Sequence, residues 1–311
     1  LSVEELNEFK NIMYLPQKKN ISTYNDGIYL TYDNNKLVIN TTKSLPYPLL
    51  GCGLVNYPKD KKIFFINGCI YDTLSFDTNY LINHIQIGKS FFYWRYDSNH
   101  NILDKTTYLQ FDGTARFYTV THILDDFIYV MSGLKTLEDT NNDKGYVQYT
   151  LANVLDNWKY DIINDTWYRI SDFPIPYVNQ SSIQYKNYII FFGGIQFNTS
   201  VDNDKVIDTD KIYTSINFPY HGISTIKQAN FDQASTHLAS NLILVYNTIT
   251  DKFYFSNITL PINISRPGIT TDNEYVYIVG GELNPSLLNN IYYGNCSALM
   301  IKIKINDILY K

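Results

Sequence analysis

Tyr160-Asp-Ile-Ile-Asn-Asp-Thr-Trp167 and, a little further on, Tyr188-Ile-Ile-Phe-Phe-Gly-Gly194 set two elements in succession. The first is a Tyr-Asp pair leading through a polar turn to an aromatic strand. The second is an unbroken apolar strand ending in two glycines. Both recur. Strands of the second kind stand at Lys62-Ile-Phe-Phe-Ile-Asn-Gly68, Phe127-Ile-Tyr-Val-Met-Ser-Gly133 and Tyr275-Val-Tyr-Ile-Val-Gly-Gly281. Pairs of the first kind stand at Tyr32-Asp33, Tyr96-Asp97 and Tyr246-Asn247, with a weaker copy at Ile305-Asn306. From Tyr32 to Tyr96 to Tyr160 to Tyr246 the spacings are 64, 64 and 86 residues, one unit length with one long insertion. Such a period marks a repeat architecture.

Composition agrees with a chain of strands. Tyr occurs 29 times and Phe 17 times among 311 residues, which suits pleated, half-buried surfaces. Only Ser2–Lys10 reads as helical, from a capping box at Ser2-Val-Glu-Glu. A net charge of -5 argues against a nucleic-acid partner, as do arginines that never cluster. No apolar run reaches the roughly 18 to 20 residues that span a bilayer, and the first residues are too acidic for a signal peptide. The chain opens without Met, as a processed secreted chain or a fragment would, and both readings stay open.

The repeated elements resemble those of kelch-type β-propellers, whose blades carry an apolar strand ending in Gly-Gly, then a Tyr-Asp pair and a Trp. Residues 160–194 match best. A second match runs through Tyr246-Asn247, Phe253, Ser265-Arg266-Pro-Gly and Gly280-Gly281. Asn67-Gly68 and Ser132-Gly133 depart from the double glycine. The resemblance implies an all-β fold of four-stranded antiparallel blades, about five with six allowed. Residues 21–311 would form one propeller, with 1–20 a partly helical or ring-closing extension and 27–43 the outer half of a blade. A second strand pressed between blades should be apolar on both faces, as Ile189-Ile-Phe-Phe is.

Up-and-down blades send every connection between strands 2 and 3 to one face. Here those connections are long: 69–89, 134–157, 195–240 and 282–296. Long loops on a rigid frame commonly carry binding. The candidates for a binding face are their aromatics Tyr71, Phe76, Tyr146, Tyr149, Tyr213, Phe218, Tyr220, Tyr292 and Tyr293, each of which could instead pack its loop onto the frame.

Eight Asn-X-Ser/Thr sequons start at Asn20, Asn40, Asn164, Asn179, Asn198, Asn257, Asn263 and Asn295, outside the apolar second strands. Cys52 and Cys69 flank a hairpin turning at 58–61, so a disulfide between them is sterically open. Together these point to a secreted or cell-surface glycoprotein, with a cytoplasmic location as the alternative. The resemblance also brings copper oxidases built on such propellers into view. His84, His100, His122, His221 and His237 show no paired ligand spacing, however, and Asp125-Asp126, Asp202–Asp204 and Asp208–Asp210 lack an accompanying calcium loop. No nucleophile elbow, phosphate loop or zinc-hydrolase motif occurs. The expectation is a non-enzymatic module without cofactor or metal that binds a protein or glycan through its long-loop face. The alternatives are an intracellular kelch scaffold and a propeller-based oxidase or carbohydrate-active enzyme.

Overall fold

The second strand of each repeat contributes alternate side chains to two different cores, and this arrangement generates the architecture. A computed structural model describes residues 28–33, 36–41, 51–71, 85–87, 89–99, 101–139, 148–175, 177–196, 199–202, 205–208, 239–288 and 291–309. A hairpin, β1 (Ile28–Asp33) and β2 (Lys36–Thr41), pairs with itself alone among these residues. Blade 1 follows as β3 (Gly53–Tyr57) and β4 (Lys62–Ile66), a short ribbon of β5 (Cys69–Tyr71) and β6 (Ile85–Ile87), then β7 (Phe91–Tyr96) and β8 (Ile102–Tyr108). Blade 2 is β9 (Val120–Leu124) and β10 (Phe127–Met131), a ribbon of β11 (Leu134–Asp139) and β12 (Gln148–Val154), then β13 (Asn157–Asp161) and β14 (Thr166–Ile170). After β15 (Tyr177–Val178), blade 3 begins with β16 (Ser181–Tyr185) and β17 (Tyr188–Phe192). It continues outward through β18 (Ile195–Gln196), β19 (Thr199–Asp202) and β20 (Lys205–Asp208), and returns as β21 (Ile243–Asn247) and β22 (Lys252–Phe255). Among the described residues blade 4 has three strands, β23 (Gly268–Thr271), β24 (Tyr275–Val279) and β27 (Met300–Lys304), with the ribbon β25 (Glu282–Leu288) and β26 (Ile291–Cys296) between the last two.

The fold is an all-β propeller, and the described residues form four blades where about five were expected. Ile305-Asn306, expected as a Tyr-Asp-like turn, instead opens the short helix α1 (Ile305–Leu309). Its Ile305 and Ile308 complete the core between blades 3 and 4, where they take part in place of an outer strand.

The alternation is explicit. Ile128 and Val130 of β10 enter the core shared with Phe64, Ile66 and Phe91 of blade 1, while Tyr129 and Met131 enter the core shared with Ile189 and Phe191 of blade 3. Ile190 and Phe192 face the other way, toward Val276 and Ile278 of blade 4. Period-2 side chains on a strand buried on both faces require this continuous apolar run.

The Tyr-Asp pairs close the outer hairpins. Asp161 Oδ1 accepts from the N–H groups of Ile163 and Asn164, each at 3.0 Å, and Asn247 Oδ1 does the same for Ile249 and Thr250. The preceding tyrosine reaches the turn: Tyr160 donates to Asp165 and Tyr246 to Asp251. Trp167 lies 4.9 Å from the Tyr160 ring and donates its indole N–H to the Gln110 carbonyl, joining blades 2 and 1.

The glycines serve the crossing between blades. The Gly68 N–H donates to the Arg116 carbonyl and the Gly194 N–H to the Ile264 carbonyl, both at 2.9 Å. Gly193, at φ +65°, passes so close that a Cβ would sit 2.1 Å from the Ile264 oxygen. Gly280 holds the same place in blade 4, yet a Cβ there would meet nothing nearer than 3.7 Å. Asn67 and Ser132 occupy this left-handed place in blades 1 and 2.

One buried ion pair anchors blade 2. Arg116 Nη2 lies 2.6 Å from Asp156 Oδ2 with both side chains wholly buried. Arg116 also donates to the carbonyls of Thr114, Ser132 and Asp156, while the Thr114 N–H and Trp158 indole donate to the Asp156 carboxylate. Burial pushes the Asp156 carboxyl up, but Arg116 and these donors outweigh it and hold the group at about 2. Its stabilising contribution is complete above the ordinary carboxylate range and disappears as pH falls through about 2.

Two stability measurements follow from this frame. By urea unfolding, Gly193→Ala costs ~3 kcal/mol or more because backbone must move, whereas Gly280→Ala costs ~1 kcal/mol for its left-handed conformation alone. Asp156→Asn costs ~3–5 kcal/mol by leaving the buried Arg116 charge uncompensated, and the apolar double replacement Arg116→Met/Asp156→Leu costs less than either single change.

Candidate functional site

The connections expected as long loops are ribbons at their roots. β5–β6, β11–β12 and β25–β26 are antiparallel pairs that continue blades 1, 2 and 4 beyond their glycines. Blade 3's connection crosses to its neighbour: β19 runs parallel to β12, giving the sheet β11-β12-β19-β20. By up-and-down topology these ribbons all rise from one side of the ring. Tyr71, Tyr149, Tyr292 and Tyr293 lie on ribbon strands, and Phe76, Tyr146, Tyr213, Phe218 and Tyr220 lie outside the described residues.

At the foot of the ribbons the chain enters each inner strand through a left-handed residue: Gly51 (φ 64°), Tyr118 (53°), Asn179 (58°) and Arg266 (49°). Each stands two residues before its strand, and the last three stand fifteen residues before the second glycine of their repeats. Backbone bonds join them across blades, from the Tyr118 N–H to the Gly51 carbonyl at 2.7 Å and from the Arg266 N–H to the Asn179 carbonyl at 2.9 Å. Non-glycine residues held at positive φ are costly, and a Tyr or Arg there is uncommon.

The side chains of three of these positions meet. The Arg266 guanidinium lies over the Tyr118 ring, 5.1 Å from its centroid. The Asn179 amide, oriented to satisfy both groups, accepts from Arg266 Nη2 at 2.9 Å and Nε at 3.2 Å. Glu282 Oε1 lies 3.4 Å from Nη1, and Arg266 and Glu282 side chains are both about half exposed, at 45% and 47%.

Beneath this cluster lies an apolar plug of Cys69, Phe117, Leu134, Val178 and Ile195. Phe117 bridges Leu134, and Val178 pairs with Ile195. Blade 4 makes the same bridge with Ser265 and Glu282, so its share of the mouth is polar where those of blades 2 and 3 are apolar.

Two other places fall away as sites. A shallow cleft of about 370 Å³ on the turn side is lined by Tyr57, Pro58, Lys59, Ile123, Asp125 and Asp126. Asp126 there accepts from Lys59 Nζ and the Tyr57 hydroxyl, so these polar groups serve to tie blade 1 to blade 2. Among the described residues no three His, Cys, Asp or Glu side chains converge as metal ligands, and no helix is long and apolar enough to cross a membrane.

Cys52 and Cys69 do not form the expected disulfide; both are free, as is exposed Cys296. Gly53 pairs with Ile66, but Asn67 and Gly68 at φ 58° and 105° then turn the chain away, carrying Cys69 into the ribbon. Burial, and then the nearby Cys52, push the Cys69 thiol up to about 12.

Among the sequons, Asn164, Asn257 and Asn263 are exposed, although the Asn164 amide donates to Asp161 Oδ2. Asn40 lies in β2 and Asn295 in β26, while Asn20 and Asn198 lie outside the described residues. Asn179 is only 9% exposed, with its amide against Arg266. His84, His100, His221 and His237 also lie outside the described residues.

His122 sits on the inner strand of blade 2 with Nε2 2.8 Å from Ser182 Oγ of blade 3, and burial lowers it to about 4.

No family model and no curated protein matches the chain. A solved structure described as "Structure of YjhT" superposes with a TM-score of 0.45 at 12% identity over 81% of this chain. The match covers 65% of that chain, a little under two thirds of its length.

Because the folded pKa of His122 lies below the unfolded value near 6.5, protonation favours unfolding. Its contribution is complete above pH ~6.5 and is lost progressively toward pH 4, on the order of 3 kcal/mol. His122→Gln removes that slope in unfolding free energies measured from pH 7 to 4.

Proposed function

We propose that this chain is a kelch-like propeller whose ribbon side binds a protein or glycan partner, acting as a non-enzymatic interaction module. The carrying observation is that the connection between strands 2 and 3 begins as a paired ribbon in blades 1, 2 and 4 and joins a neighbour's ribbon in blade 3. Paired strands give a wide surface a fixed shape, which lowers the ordering cost of binding. The kelch likeness is supported by the left-handed residue and glycine ending each second strand, and by the Tyr-Asp turn with its Trp in blade 2.

The exposed sequons Asn164, Asn257 and Asn263 support a secreted or cell-surface glycoprotein. Three free thiols favour the second reading, an intracellular scaffold of the same fold. The intact mass of natively sourced protein, before and after N-glycan removal and with thiols alkylated without reduction, separates these two. Excess mass lost on deglycosylation supports the surface protein, and an unmodified 36.2 kDa chain with three reactive thiols supports the scaffold.

The ribbon side is tested by replacing residues 138–149 with Asn-Gly, which closes the pair Leu137–Thr150 by a two-residue turn. The expected result is an unchanged melting temperature with at least a tenfold loss of labelled-protein binding to a glycan array or to intact cells. Retained binding would move the interaction surface elsewhere.

A further inference from the structure

The cluster at the ribbon foot has an unused recognition capacity that its own contacts do not exhaust. A guanidinium carries five N–H donors. In Arg266, Asn179 takes the one on Nε and one on Nη2, and Glu282 takes one on Nη1 at the long distance of 3.4 Å. One N–H on each terminal nitrogen remains without a partner among the described residues. The group is half exposed, and the Tyr118 face and the Asn179 oxygen fix its plane. Two donors on adjacent terminal nitrogens of an oriented guanidinium match the two oxygens of a carboxylate.

The surroundings narrow the ligand. Gly51, Tyr118 and Asn179 at the equivalent positions carry no positive charge, so Arg266 is the one cation among these four. Glu282 stands beside it, and its negative charge disfavours a dianion such as a phosphate monoester. It accepts a hydrogen bond readily from a hydroxyl next to a bound carboxylate. Ser265, pairing with Glu282 where blades 2 and 3 place Phe117–Leu134 and Val178–Ile195, keeps the foot of this ribbon polar down to its base.

We propose that Arg266, Asn179 and Glu282, with Tyr118 as the support of the guanidinium, form a binding site for a hydroxylated monocarboxylate of the acidic-sugar class. The carboxylate lies on Nη1 and Nη2, and a hydroxyl donates to Glu282. This deepens the ribbon-side reading and rests on it, since the site lies at the foot of those ribbons.

The test is isothermal titration at pH 7 with D-glucuronate, D-glucose and acetate, using the intact chain and the variants Arg266→Lys, Arg266→Ala and Glu282→Gln. The site is expected to bind glucuronate at least tenfold more tightly than glucose, which lacks the carboxylate, or acetate, which lacks the hydroxyls. Arg266→Lys and Arg266→Ala each lose at least tenfold for glucuronate with unchanged melting temperature. Glu282→Gln narrows the preference for glucuronate over acetate. Absence of glucuronate binding, equal affinity for glucose, or full affinity in Arg266→Lys overturns the assignment. The Asn-Gly ribbon variant keeps residues 266 and 282, so it should still bind glucuronate. Failure of the site and failure of the ribbon surface therefore give different results.

Discussion

The bond from one blade's second glycine to the next blade's backbone constrains everything around it. For the Gly194 N–H to reach the Ile264 carbonyl, β17 must leave its blade at a left-handed residue, and the chains must approach more closely than a Cβ permits. This places the ribbon root beside the adjacent inner strand. It also sets the alternation of Ile189, Ile190, Phe191 and Phe192 between two cores, because the strand ends where the blades touch. Core burial then supplies the stability, at ~1.5–3 kcal/mol for each large apolar side chain removed from water.

Blade 2 meets the same constraint with different chemistry. Ser132 replaces the first glycine and donates to the Tyr177 carbonyl, while Arg116, at the crossing from blade 1, fills the place that Ile264 takes at the crossing from blade 3 to blade 4. Burying a guanidinium is favourable only when its donors are satisfied, and Arg116 spends them on Asp156 and on three carbonyls at the ribbon root. The pair binds both strands of the ribbon root and the incoming connection, which gives it a positional role beyond charge compensation.

The blades were legible in the sequence because their signals are of backbone origin: glycine at positive φ in all four, Asp or Asn at the outer turn in blades 1 to 3, and an apolar run in each second strand. The ribbons were not, since pairing between segments as distant as β12 and β19 leaves no local period. Arg116 and Asp156 stand 40 residues apart and become partners only through the fold. Of the cluster at the mouth, Arg266 was visible as part of an inner-strand signature and Asn179 only as a sequon. Their common spacing before the second glycine is the signal that would have joined them with Tyr118. The expected disulfide failed for a local reason, the two positive-φ residues between β4 and Cys69. The blade count departed from five because β1–β2 pairs only with itself among the described residues and because α1 follows the third strand of blade 4.

Blade 4 shows what alternation produces when only one side meets a described neighbour. Val276 and Ile278 are buried against blade 3, but Val279 and Met300 on the edge of the pattern are 51% and 65% exposed. Lys302 lies 3.9 Å from the Tyr275 centroid and 5.5 Å from that of Tyr277, covering two aromatic faces with a hydrated ammonium and its aliphatic stem. On β27, Lys302 and Lys304 alternate with Ile301 and Ile303, so the strand turns charge outward wherever it turns isoleucine inward. Charge on a strand at the edge of its described sheet disfavours further edge pairing. A face built of tyrosines beneath lysine stems can also tolerate water, unlike the core between blades 2 and 3, where Tyr129, Tyr177 and Tyr246 are buried among Phe, Ile, Leu and Met side chains. The repeats therefore differ in chemistry according to their neighbours: the central blades are apolar on both sides, and blade 4 carries polar cover on its outer sheet face as well as its polar share of the mouth.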